Sequence, residues 1–149
     1  MIELAPVNEL VPHQPPMLAL DELLRWSPGH AVAKLTLRDG LFARNGQVDA
    51  LMTLEFMAQG VAACLGQEAL LGGHGPRVGM IIACRSMHIE RPSLDVGELL
   101  FVEVRQVRGA GYLSHYDTWT RDASQALVAR ATLTLMHGEQ PPESDRSGQ

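Results

Sequence analysis

The sequence predicts an α+β domain in which a curved antiparallel sheet wraps one long central helix. Three observations lead there. Residues 48–71 are rich in Ala, Leu, Met and Gln and contain no proline, the composition of a strong helix former. From Ala50 to Leu65 apolar residues fall on every face of that helix, so protein must cover it on nearly all sides. Around it lie strand-like stretches separated by turn-prone residues, and a sheet with one apolar face buries it against an element of matching size.

The elements follow in order. Residues 5–16 are punctuated by proline, with room for one short helical turn between Pro6 and Pro12. Residues 17–26 and 30–38 read as strands joined by the Ser27-Pro28-Gly29 turn. In the second strand Ala31, Ala33, Leu35 and Leu37 share one side. Residues 39–47 are a loop by composition. The helix then runs over 48–71, with Asp49 placed as its N-cap and Gly72-Gly73 as its stop. Four further strands are expected over 77–89, 98–108, 112–121 and 125–136. The links between them, RPSLDVG, RGAG and RDAS, are short and turn-prone, which predicts an antiparallel four-strand meander. The open edges of such a sheet predict edge-to-edge dimerisation.

Composition removes several classes of function. The chain has 149 residues, 46% of them hydrophobic and 19% charged, as expected of one globular domain with a real core. A formal net charge of -5 argues against nucleic-acid binding, which needs a basic face to neutralise phosphates. No apolar run reaches the ~18–20 residues of a membrane span. The N-terminal MIELAPVNELVP lacks the basic and apolar regions of a signal peptide. Cys64 and Cys84 lie in apolar stretches without metal-ligand spacing and read as buried thiols of a reduced, cytoplasmic protein. The domain is expected over 1–138, with the polar residues 139–149 forming a disordered tail.

One charge interrupts the apolar part of the helix, and it is Glu55. A carboxyl in such surroundings has to be paired, hydrogen-bonded or protonated. Gln59, one turn further on, is placed to orient it through an i,i+4 hydrogen bond. The sequence contains no Gly-rich phosphate loop, no serine-nucleophile elbow and no His/Cys cluster suited to zinc, so neither a metal nor a cofactor is implied.

Four segments carry a family resemblance: VPHQPPMLALDELL (11–24), GLFARNGQVDALMTLEFMAQ (40–59), HIERPSLDVGELLFVEV (88–104) and YDTWTRDASQALVARATLTLM (116–136). In this order and spacing they resemble the hotdog-fold 3-hydroxyacyl-ACP dehydratases. The likeness is greater to the dehydratase-like hotdog proteins of aryl-polyene-type gene clusters, over about residues 5 to 137. The resemblance implies a hotdog fold, a homodimer or hotdog heterodimer, and a substrate carried as an acyl-carrier-protein or CoA thioester. Those dehydratases pair a histidine in a Gly-His-Phe-Pro-Gly loop with an acid on the central helix. Laid on this sequence without gaps, Glu55 falls on the acid and Gly40 and Phe42 on the loop glycine and phenylalanine. The histidine position is Leu41. The Pro-Gly before the family's helix is Asp49-Ala50 here.

Leucine cannot move a proton, and general acid–base help is worth about 10²–10⁴-fold. The histidine embedded in a family motif is His13, in VPHQPPM, which makes Glu55 and His13 the candidate catalytic pair. Gln59, Leu41 and Phe42 are candidate substrate contacts, and Arg91 is one for a phosphopantetheine phosphate or an acidic carrier protein. Three readings stay open: a dehydratase, a non-catalytic hotdog subunit supporting an active partner, and a thioesterase whose helix carboxylate activates water.

Overall fold

In a computed structural model, which describes residues 2–73, 79–110 and 113–137, proline and glycine shape the first third of the chain. A single helical turn, α1 (Val7–Leu10), follows Pro6. Strands β1 (Glu22–Ser27) and β2 (His30–Thr36) pair around a turn where Pro28 sets the first corner and Gly29 takes φ 75°, a conformation closed to most side chains. Residues 17–21, read as strand, lie outside β1. Short antiparallel strands β3 (Ala43–Arg44) and β4 (Gln47–Asp49) occupy the segment read as loop. Asn45 and Gly46 connect them, both with positive φ (54° and 76°), as a two-residue Asn-Gly hairpin requires.

The long helix begins later than its composition suggests. Val48 is in β4, residues 50–52 form a 3₁₀ turn, and α2 proper spans Thr53–Leu71. Asp49 does cap this entry, its carboxylate accepting from the Leu51 amide at 2.9 Å. Beyond α2 come β5 (Gly79–Ile89), β6 (Ser93–Asp95), β7 (Leu99–Ala110), β8 (Leu113–Asp122) and β9 (Leu127–His137).

All pairings are antiparallel, but the last four long strands are not a simple meander. The six-stranded sheet has the order β1-β2-β7-β8-β9-β5. Thus β5 pairs with β9 at one edge while β7 pairs with β2. The segment between β5 and β7, read as a turn, contains β6, which pairs with β4 in a separate three-stranded sheet. That pairing carries the chain away from β5 and allows β7 to enter the middle of the sheet.

Helix α2 packs on the inner face of this sheet. Phe56, Met57, Val61 and Cys64 meet a core that includes Leu100, Val102 and Val104 of β7, Tyr116 of β8 and Leu133 of β9, all buried. Close approach depends on Gly60, where a Cβ would lie 2.9 Å from Val102 Cγ1 and 3.1 Å from Val104 Cγ1. Burial pushes the Cys64 thiol up to about 12, so it stays protonated and unreactive. Cys84, expected to be buried, is exposed on edge strand β5. Strand composition alone did not show that β5 lies at an edge.

Two glutamines tie the N-terminal segment onto α2. The Gln67 amide accepts from Ala5 N (3.0 Å) and donates to the Glu3 carbonyl (3.2 Å). The Gln59 amide accepts from Ala19 N (2.9 Å) and donates to the Met17 carbonyl (2.8 Å). Both side chains are fully buried, where an unpaired amide would be costly and a satisfied one is specific. Residues 3–19 therefore form a strap along the helix, and His13 lies on it. The tail over 139–149 falls outside the described residues, and so does His74.

Candidate active site

The strap brings His13 to Glu55. Their facing atoms, His13 Nε2 and Glu55 Oε1, are 3.3 Å apart, with side chains 28% and 27% exposed. Glu55 is therefore half-buried at the helix surface rather than sealed in the core. The same Oε1 accepts from Gln59 Nε2 at 3.0 Å, the i,i+4 bond that the helix spacing allows. Gln59 thus links strap and carboxyl: its oxygen accepts from Ala19 N, and its nitrogen donates both to the Met17 carbonyl and to Glu55. The side chain of Thr53 points elsewhere, donating to the Ala50 carbonyl at 2.6 Å inside the protein.

An apolar cleft of about 170 Å³ opens beside this pair. Pro16, Leu18, Leu37, Leu41, Phe42 and Phe56 contribute to its lining. Glu55 and His13 do not line it; Ala19, which does, is bonded to Gln59, and Gln59 is bonded to Glu55. Phe42 packs edge-on against Phe56, ring centroids 5.6 Å apart, so the loop before β3 is anchored on the helix. Leu41 is 60% exposed at this cleft. Phe56, Leu18 and Leu37 were not singled out from sequence, because an apolar residue lining a cleft carries the same signal as one in the core.

Arg91 is held elsewhere. Its guanidinium makes a two-pronged ion pair with Glu98, 2.8 Å on each arm, and lies 3.6 Å from Asp122. The hydrogen bond from Arg91 holds the Glu98 carboxyl below its ordinary value. The folded state then binds fewer protons than the unfolded one, so the pair's stabilisation is present above the ordinary value near 4.5. It is lost as pH falls through the lower folded value. Arg91→Met is expected to cost about 1 kcal/mol at neutral pH. Urea denaturation should show the gap from the parent closing as the pH is taken well below that ordinary value.

Three further histidines are also engaged: His30 with Glu103 at 2.7 Å, His88 with Glu90 at 2.7 Å, and His115 with Thr134 at 2.8 Å. Among the described residues no group of three or more His, Cys, Asp and Glu is placed to hold a metal ion. None of the described helices is long and apolar enough to cross a membrane.

A long helix wrapped by an antiparallel sheet defines the hotdog fold. The model of the ApeP-like family, described as ApeP dehydratase, matches residues 5–146, and the chain belongs to that family. No curated protein matches it in sequence. Among solved structures, the dehydratase heterocomplex ApeI:P from Xenorhabdus doucetiae is similar with a TM-score of 0.83 at 18% identity, covering 91% of this chain and 93% of that one. The smu.793 protein of Streptococcus mutans UA159, bound to acetyl CoA, is similar with a TM-score of 0.63 at 15% identity, over 80% and 90%. A point mutant of the phenylacetic acid degradation protein PaaI from Thermus thermophilus gives 0.60 at 23%, over 80% and 93%. At these identities the structural likeness speaks to the fold.

Proposed function

We propose that the chain acts on 3-hydroxyacyl chains carried as thioesters of an acyl carrier protein or CoA, in fatty-acid or polyene-type lipid synthesis. The reaction is a dehydration centred on Glu55 with His13 beside it. The observation that carries this reading is the convergence of His13 and Gln59 on one oxygen of Glu55, next to an apolar cleft. Dehydration takes a proton from C2 and releases the 3-hydroxyl as water. It needs a positioned acid–base group and an apolar place for the chain. Leu41 and Phe42, at the rim and wall of the cleft, are the proposed acyl contacts. Arg91 is proposed only as a carrier-docking contact, since Glu98 holds two of its five N–H donors and fixes its direction.

A second reading is favoured by Leu41, which stands where the related dehydratases carry their histidine. On this reading the chain is the partner subunit of an active hotdog dehydratase, as the similar ApeI:P heterocomplex suggests. The backbone groups of edge strands β1 and β5 offer pairing surfaces for a homodimer or such a heterodimer.

The test is to purify the chain alone and together with a histidine-bearing hotdog dehydratase, then supply 3-hydroxyacyl-carrier protein. Loss of water from the acyl chain, read by mass spectrometry with the chain alone, supports the first reading. Turnover seen only in the stable mixture supports the second. Release of free carrier thiol without an enoyl product overturns both in favour of hydrolysis.

A further inference from the structure

The two oxygens of Glu55 are treated differently by the fold. Oε1 accepts from Gln59 Nε2 at 3.0 Å and faces His13 Nε2 at 3.3 Å; no described residue pairs with Oε2. The Gln59 amide cannot be turned round. Its oxygen accepts from the Ala19 amide, and its nitrogen donates to both the Met17 carbonyl and Glu55. Oε1 is therefore an acceptor, and the network itself assigns the orientation.

The other nitrogen of His13 decides what the ring can do. His13 Nδ1 is buried and finds no hydrogen-bond partner among the described residues. A neutral ring protonated at Nδ1 would strand that N–H and set the Nε2 lone pair against the carboxylate. An imidazolium would strand the same N–H. A ring protonated at Nε2 turns its N–H toward the Glu55 carboxylate, 3.3 Å away, and leaves only a lone pair without a partner. A short acceptor is tolerated more readily than a stranded buried donor.

We infer that His13 is a positioning residue: a ring that carries its proton at Nε2, facing Oε1 of Glu55 beside the Gln59 donor, and leaves Oε2 to do the chemistry. This rests on the reading of Glu55 as the reacting carboxyl. One oxygen then serves both halves of the elimination. Oε2 takes the C2 proton as the C2–C3 double bond forms and the C3–O bond breaks. The new Oε2–H returns the proton to the departing oxygen, giving water, a 2-enoyl thioester and the original carboxylate. A histidine at position 41 is not required for proton balance.

Two measurements on the intact 149-residue chain test this. Nitrogen-15 correlation NMR at mildly alkaline pH is expected to show His13 as the Nε2–H tautomer; an Nδ1–H tautomer overturns the inference. This readout does not depend on turnover, so an inactive protein would sink the dehydration reading while leaving the tautomer question answered. Where turnover is present, His13→Ala is expected to lower kcat/KM about 10–100-fold. His13→Gln, whose amide donates but does not take up a proton, should recover most of that loss. A glutamine variant as impaired as the alanine one, with both down by the about 10²–10⁴-fold of a lost general base, would show that His13 itself moves the proton.

Discussion

Glu55→Gln is expected to lower the rate of 3-hydroxyacyl thioester dehydration by about 10²–10⁴-fold, with little change in the folded structure. That loss corresponds to about 3–5 kcal/mol of barrier. The substitution is chosen because it changes proton affinity and little else. A glutamine at position 55 keeps a carbonyl oxygen where Oε1 accepts from Gln59 Nε2 and meets His13 Nε2. The strap contacts of Gln59 with Met17 and Ala19 are therefore untouched. What disappears is the second carboxylate oxygen, replaced by an NH₂ group whose lone pair is delocalised into the amide and cannot accept the C2 proton. Because the side chain is half-buried rather than sealed, the variant should unfold in urea within about 1 kcal/mol of the parent, as exposed substitutions do. Turnover is followed by mass spectrometry of the carrier-bound product. An undiminished rate in a folded variant would remove Glu55 from the mechanism. The same assay run with a histidine-bearing partner subunit separates the two readings: a mixture that loses no activity locates the chemistry in the partner.

Much of this arrangement can be read in the sequence because it is local. The proline-free apolar run around Glu55 dictates a covered helix, and the four-residue step from Glu55 to Gln59 dictates a hydrogen bond on one helix face. Period-two alternation marks β2, whose Ala31, Ala33 and Leu35 are buried on the side that meets the helix. What is non-local is not legible in this way. Strand composition says that β5 and β7 are strands, not which neighbours they choose. Their separation follows from β6 pairing with β4, and these two segments have only three residues each. The exposure of Cys84 follows from that strand order. Arg91 illustrates a different limit: an arginine before a proline has the same appearance whether its guanidinium faces a phosphate or is clamped by Glu98. The sealed Nδ1 of His13 depends on how the strap lies across the helix, which no spacing within VPHQPPM reveals.

Gly66→Ala is expected to destabilise the protein by about 3 kcal/mol, shifting Tm by about 10 °C, although alanine is ordinarily the better helix residue by about 0.5–1 kcal/mol. The reason lies in how α1 sits on α2. A Cβ at Gly66 would come 2.0 Å from the Leu10 carbonyl oxygen, 2.8 Å from Leu10 C and 3.0 Å from Leu10 Cα. These are backbone atoms, so no side-chain rotation relieves the clash, and α1 must lift. Lifting it uncovers Val7, Leu10 and Val11, all buried, and strains the Gln67 contacts that hold Ala5 and Glu3. Gly60→Ala is the built-in comparison. There the new methyl group meets Val102 and Val104 side chains at 2.9 and 3.1 Å, which can shift slightly within the sheet, so its cost should be smaller. Thermal and urea denaturation of the two variants rank the effects; equal or reversed costs would mean that the strap yields more easily than the sheet. The site gives a second readout. His13 follows α1 on the same strap, so a lifted α1 should loosen its contact with Glu55 and lower activity even where Gly66→Ala remains folded. Gly60→Ala leaves the strap in place and should not. Gly66, a residue that touches no substrate, would then control the geometry at Glu55 by letting a main chain lie directly on the helix.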